Sequence, residues 1–177
     1  MSNSELAGVS GAELRARFLE AMSHAANTVN VITTDGAGGR HGLTVSAMTS
    51  VSADGGQPAL LICVHHRGRS APAILQNGVF CVNVLRDTQS ELSDCFAGRR
   101  ALPDDDRFAL ARWTTLATGA PCLQGALATF DCRVTASQQV GTHYVIFGAV
   151  VDVRVADEGL PLIYARRAYA RPHPIPC

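Results

Sequence analysis

The chain reads as a mainly β domain: an antiparallel barrel with a few short helices at its edges. Three observations carry this expectation. Six or seven runs are either apolar/polar alternating or continuously apolar, as strands are. Most of them are joined by short turns rich in Gly, Pro or Asp. Full-length helices do not alternate with the strands, as a doubly wound sheet would require.

The elements follow in order. Ser10-Gly-Ala-Glu13 is a capping box, so a helix starts near Gly11, and Leu14, Phe18, Met22 and Ala25 give it one apolar stripe expected to be buried. From Asn27 the period changes to two, with Val29, Val31 and Thr33 alternating against Thr28, Asn30 and Ile32. The turn Asp35-Gly-Ala-Gly-Gly39 leads into a second extended run over 41–52, which makes a hairpin. Its glycines imitate a dinucleotide fingerprint, but the segment that follows is strand-like. A Rossmann loop must open a helix, so the motif is rejected. Strands are expected over 59–65, 79–85, 125–135, 142–155 and 161–164, and helices from Ser70 and over 88–97. Residues 98–106, with three consecutive Asp, read as a solvated loop. Residues 1–10 read as a flexible N-terminus, 11–170 as one domain and 171–177 as a Pro-rich tail.

Composition narrows the function. The chain has 177 residues, enough for one domain, and 47% of them are hydrophobic, which excludes a disordered chain. Fifteen acids balance fifteen bases, so no global field attracts nucleic acid or an anionic membrane. Every base is Arg, which removes Schiff-base and P-loop lysines. The longest apolar runs, 58–64 and 144–151, are too short to span a bilayer, and the polar start lacks a signal region. A cytoplasmic protein is expected. The six Cys (63, 81, 95, 122, 132 and 177) form no C-x-x-C pair and read as reduced, mostly core residues, with no metal site.

Candidate chemistry concentrates in three places. Thr44, Ser46, Ser50 and Ser52 place hydroxyls on one strand face, although an ordinary exposed face would look the same. Arg67, Arg69 and Ser70 follow the next strand at a helix start, and together with those hydroxyls they make an anion seat. Tyr164, Ala165, Arg166, Arg167 and Tyr169 set two arginines between two aromatics: either a surface cap or a wall for a ring-and-phosphate ligand. His143 opens the longest strand and is alone there. No nucleophile with an acid partner can be assembled, and no H-x-x-x-H pair occurs.

Taken in order, several pieces carry a resemblance. They are Phe18-x-x-Ala21-Met22, Thr28-Val-Asn-Val-Ile-Thr-Thr34, Gly42-Leu-Thr-Val-Ser-Ala47 and Ser50-Val-Ser52. Phe80-Cys-Val-Asn-Val-Leu85, Phe96-Ala-Gly98, Arg107-Phe108, Trp113, Gly119-Ala-Pro121, Gly141-Thr-His143 and Pro161-Leu-Ile-Tyr164 complete the set. The chain resembles the short-chain flavin reductases, the reductase components of two-component flavin monooxygenases such as 4-hydroxyphenylacetate 3-monooxygenase. The resemblance runs from about Phe18 to Tyr169.

It implies a Greek-key split β-barrel that forms homodimers, binds FMN or FAD, and takes NADH or NADPH as co-substrate. It also implies a separate monooxygenase that receives reduced flavin, with no nucleic acid or membrane partner. By matching position, it places flavin along Arg40, His41, Gly42, Leu43 and Thr44, and at Ser46 and Ala47. Further flavin contacts would come from Cys63, Val64, His65, Arg69, Ser70, Cys95 and Phe96. The nicotinamide side would hold His143, as a positioning group, with Tyr164, Ala165, Arg166, Arg167 and Tyr169. One stretch departs from the pattern: the loop 53–58 is longer and has one proline where two are usual. A split-barrel flavin or haem carrier would share every flavin contact and differ only in lacking NAD(P)H oxidation.

Overall fold

A computed structural model describes residues 10–100, 102 and 106–175. Residues 1–9 of the flexible N-terminus expected over 1–10, part of the 98–106 loop and the last two residues of the tail lie outside the described residues. Helix α1 (Gly11–His24) begins as its capping box dictates, with Ser10 Oγ accepting from the Glu13 amide at 3.2 Å. Its apolar stripe is not covered within the chain, contrary to the sequence expectation. Leu14 and Phe18 are about three-fifths exposed, and Met22 is about half exposed. A four-residue period fixes which face of a helix is apolar, but not whether its own chain covers that face.

The next strands are β1 (Asn27–Thr28), β2 (Asn30–Thr34), β3 (His41–Val45), β4 (Met48–Ser52) and β5 (Ala59–His65). Then come α2 (Ser70–Asn77), β6 (Val79–Val84), α3 (Ser90–Phe96) and a single 3-10 turn, Arg107–Leu110. Strands β7 (Trp113–Thr115), β8 (Pro121–Leu123), β9 (Ala128–Val140), β10 (His143–Val155), β11 (Ile163–Ala165) and β12 (Ala168–Ala170) complete the chain. The expectation of six or seven strands missed the short ones: β1, β7, β8 and β12 are each two or three residues long.

Seven strands form one antiparallel sheet in the order β3-β2-β6-β9-β10-β5-β4. The two edge strands are thus consecutive in the chain, and the extended run expected over 41–52 is broken. At Ser46–Ala47 the chain leaves one edge and enters the other, and the Ala47 carbonyl accepts from the Cys63 amide at 3.0 Å. Strand β3 also approaches β5 from that side. A small sheet, β1-β11-β12, and the β7-β8 hairpin pack beside this frame. The turn between β2 and β3 makes a hairpin, as the rejection of a Rossmann loop requires.

The core has two main parts. Ile32, Ile62, Val64, Ile74, Phe80, Val82, Cys132 and Ile146 fill the first, and Val31, Leu85, Leu92, Phe96, Leu123 and Leu162 fill the second. Strand β2 is buried along its whole length rather than on alternate residues, because it has core on both faces. Its two threonines are satisfied internally, Thr33 by the Pro121 carbonyl and Thr34 by the Val79 carbonyl, whereas Asn30 Oδ1 is buried without a hydrogen-bond partner. Asn83 Nδ2 donates to the Val31 carbonyl at 2.9 Å and to Thr33 Oγ1 at 3.1 Å, and Asn83 Oδ1 accepts from the Leu123 amide at 2.7 Å. That network ties β2, β6 and β8 together at the centre of the molecule.

Candidate functional site

A cleft of about 470 Å³ opens where β3, the end of β5, the start of α2 and the end of α3 converge. That volume lies in the range that takes small molecules and cofactors. Its floor is shaped by Gly42. A Cβ there would stand 2.5 Å from Phe96 Cε1, so only a glycine lets the Phe96 ring lie against β3. The Phe96 ring meets Phe108 edge-on at 5.2 Å and Trp113 at 5.8 Å, a cluster that holds it in place. Ser70 Oγ donates to the Gly42 carbonyl at 3.3 Å and fixes the start of α2 against β3.

Among the described residues that line this cleft, Arg40, Arg69 and Arg107 are opposed by Asp106. The Arg40 guanidinium lies 4.0 Å from the centre of the Phe108 ring, and Arg107 Nη1 donates to the Phe96 carbonyl at 3.5 Å. Asp106 Oδ1 accepts from the Phe108 amide at 3.0 Å and so caps the 3-10 turn. Arginines spaced around a concave, partly aromatic wall suit an anionic ligand with a flat ring.

At one end of the cleft the β5–β10 register sets His65 opposite His143. Their rings meet edge-on at 4.9 Å, and His66 lies 5.2 Å from His65. The Arg67 amide donates to His65 Nδ1 at 3.1 Å, which places any ring proton of neutral His65 on Nε2. Partial desolvation, helped by the charges that His143, His66 and Arg67 can carry, holds His65 below the usual histidine range. His143 Nδ1 lies 3.0 Å from Thr142 Oγ1.

A smaller hollow of about 150 Å³ is lined by Thr44, Ser46, Ser93, Arg99, Tyr164 and Tyr169, among others. The Thr44 hydroxyl donates to the Ser93 carbonyl at 2.7 Å. The Tyr169 hydroxyl lies 2.9 Å from Ser93 Oγ and donates to Asp94 Oδ1 at 2.7 Å. Burial pushes this phenol up, so it stays protonated.

The structure therefore gathers Arg40, His41, Gly42, Leu43, Val64, His65, Arg69, Ser70 and Phe96 in one cleft. Thr44, Ser46, Tyr164 and Tyr169 line the second hollow instead. Cys95 is fully buried in α3, and half-buried Cys63 is bonded through its amide to Ala47. Ala165, Arg166 and Arg167 form the β11–β12 turn, where both arginines have positive φ. Arg167 is ion-paired with Glu20 of α1 at 2.6 Å. Sequence reasoning missed Gly68, Asp106, Arg107 and Phe108 as cleft residues. Arg107-Phe108 stood among the resemblance motifs, and that was the signal available for it.

Comparison with known proteins gives one consistent answer. Residues 22–173 match the family described as Flavin reductase like domain. A protein named FMN reductase (NADH) RutF from Pantoea ananatis is 44% identical over 158 residues, covering 89% of this chain and 80% of that protein. FMN reductase (NADH) RutF 1 of Methylorubrum extorquens is 41% identical over 169 residues, 96% of this chain and 81% of that one. The styrene monooxygenase flavin reductase of Pseudomonas putida S12 superposes with a TM-score of 0.78 at 30% identity, covering 91% of this chain and 99% of that one. On the match over 22–173, the chain belongs to the Flavin reductase like domain family.

Proposed function

We propose that this chain is an NADH-dependent FMN reductase that passes reduced flavin to a separate monooxygenase. The observation that carries this reading is the arginine-lined, aromatic-floored cleft on a chain of this family. FMN and NADH are favoured over FAD and NADPH by the names of the most similar relatives described above. A separate oxygenase is favoured by the styrene monooxygenase reductase among the solved relatives.

In this reading the flavin ring lies against Phe96 and β3, and its phosphate is held by Arg40, Arg69 and Ser70. When bound, flavin supplies the ring atom that accepts hydride from nicotinamide. The protein's own work is positioning. No nucleophile or carboxylate pair is needed, and fixing two rings face to face can lower a barrier by roughly 7–11 kcal/mol. In this reading His143, whose ring meets that of His65, positions the nicotinamide, and Tyr164, Ala165, Arg166, Arg167 and Tyr169 help to bind its nucleotide. The frame in this reading is a Greek-key split barrel, supported by edge strands that follow one another through Ser46–Ala47. A homodimer is supported by the apolar face that α1 leaves uncovered. A single functional domain over 11–170 and a cytoplasmic setting complete the reading, the latter in keeping with the free thiols of Cys63, Cys81, Cys122 and Cys132.

The test is absorbance at 340 nm during NADH oxidation by the purified chain, with and without FMN, FAD or riboflavin. Oxidation that requires added FMN is the expected result. Tight flavin binding without oxidation of NADH or NADPH would overturn the reductase reading and leave an electron carrier. A second measurement isolates His143. His143→Ala raises KM for NADH about tenfold, the equivalent of one interaction of about 1.4 kcal/mol, and leaves kcat much less changed. A loss in kcat alone would contradict a positioning role.

A further inference from the structure

Away from the cleft, two cysteines face each other between the main sheet and the β7-β8 hairpin. Cys81 Sγ on β6 lies 3.2 Å from Cys122 Sγ on β8. Both side chains are buried, and both are free thiols. The flavin reaction proposed above uses neither. A disulfide holds its sulfurs about 2.05 Å apart, so closing this pair needs a movement of about 1 Å. The hairpin is a separate two-stranded sheet, so such a shift leaves the ladder of the seven-stranded sheet intact and is taken up at the side-chain bonds from Asn83 and Thr33 that flank Cys122.

The two sulfurs are not equivalent. Cys122 is 1% exposed, yet it lines a second cleft of about 460 Å³ together with Arg86 and Arg154. The contact with the Cys81 sulfur, in which either sulfur can donate, and the Arg154 charge hold Cys122 below the usual thiol range despite burial and the nearby Asp131. Cys81 is pushed well up by the same contact, by burial, and by the charges on Cys122 and Asp131. Cys132, the next sulfur in this region, is pushed up to about 12, chiefly by burial, and stays a thiol.

We infer that Cys122 and Cys81 form an oxidisable pair, an attacking thiol and a resolving thiol, which hydrogen peroxide closes into a disulfide. The Cys122 thiolate attacks one peroxide oxygen, the O–O bond breaks, and the departing hydroxide takes a proton to become water. Cys122 is then a sulfenic acid. The Cys81 sulfur attacks the Cys122 sulfur, the S–O bond breaks, and hydroxide leaves with the Cys81 proton as a second water. Two thiols are oxidised and one peroxide is reduced to two waters. Reduced flavin released into aerobic water generates hydrogen peroxide. That source of oxidant rests on the proposed function, whereas the pair itself does not. The disulfide would pin β8 to β6, next to Thr114 and Trp113 through the β7–β8 register.

The test uses the full chain, reduced and then freed of reductant, treated with hydrogen peroxide, denatured and alkylated with N-ethylmaleimide. Intact mass is expected to show two fewer alkylated thiols and the loss of two hydrogens, reversed by dithiothreitol. With no Lys in the chain, trypsin cuts only after Arg, leaving Cys81 in fragment 70–86 and both Cys122 and Cys132 in fragment 113–133. Fragment ions then place the cross-link on Cys122. Cys122→Ser removes the cross-link, and Cys81→Ala leaves a sulfenic acid on Cys122 that dimedone traps. Full alkylation after peroxide, a link between any other pair, or any other oxidation product overturns the inference. Neither flavin nor NADH is present, so failure of the reductase reading would leave this result unaffected.

Discussion

Gly42→Ala lowers the affinity for FMN at least tenfold, a loss of about 1.4 kcal/mol or more. The new Cβ would stand 2.5 Å from Phe96 Cε1, 2.9 Å from Phe96 Cδ1 and 3.3 Å from the Ile32 carbonyl. The last of these is backbone in the neighbouring strand, so β3 cannot withdraw toward β2. The Phe96 ring must move instead, and it is 2% exposed and packed edge-on against both Phe108 and Trp113. Overpacking of this kind displaces several side chains together. Because Phe96 and Phe108 line the cleft and Arg40 rests on the Phe108 ring, the displacement reaches both the aromatic floor and the cation above it. Quenching of flavin fluorescence on titration with protein reads the affinity directly. Gly11→Ala, whose Cβ meets nothing within 4 Å, is the control. Unchanged FMN affinity in Gly42→Ala would separate the Phe96 floor from the flavin site.

Gly148→Ala destabilises the fold by about 2–3 kcal/mol without touching the cleft. Gly148 sits at the irregularity of β10 where the register with β9 shifts. A Cβ there would lie 2.5 Å from Phe80 Cζ, 2.8 Å from Phe80 Cε1 and 3.0 Å from Cys132 Cβ. Phe80 is wholly buried and has no open direction. For a chain of this size each kcal/mol lowers Tm by roughly 2–4 °C, so calorimetry should show a fall of roughly 5–10 °C. Phe80→Leu in the same chain recovers part of the loss, and the non-additivity measures the contact. A single variant as stable as the parent would mean that β10 can shift at its bulge to admit the methyl.

These two glycines show what the sequence could and could not display. The long strands β9 and β10 were visible because alternation persists over many residues and leaves few other readings. The boundary at Ser46–Ala47 was not, because an extended backbone that changes sheet edge keeps its hydroxyl-rich, β-prone composition on both sides of the bend. Strands β7 and β8 carry three residues each, too few for any period to register. The candidate site shows the same division. Arg40, Gly42, His65, Arg69 and Ser70 could be named from matching motifs, but the stacking of Arg40 on Phe108 joins two segments far apart in the chain. Nothing local to either segment announces that contact. The apolar stripe of α1 is the converse case: its period was legible and its surroundings were not, since coverage is a property of the whole assembly.

The order of strands also has a consequence for the growing chain. Strands β4 and β5 are made early, yet β5 pairs with β4 and β10 only, with His65 opposite His143. Strand β5 and the segment after it, which supply Val64, His65, Arg69 and Ser70 to the cleft, therefore lack their second partner until the ribosome has released the chain well past residue 150. Closing that long loop is the slow, entropically expensive step of folding. A chain halted before β10 carries the side chains of the arginine-lined cleft, all of which precede residue 109, and has an incomplete place to put the ligand. Flavin capture thus becomes a late event in synthesis, and it reports that the hairpin of β9 and β10 has arrived.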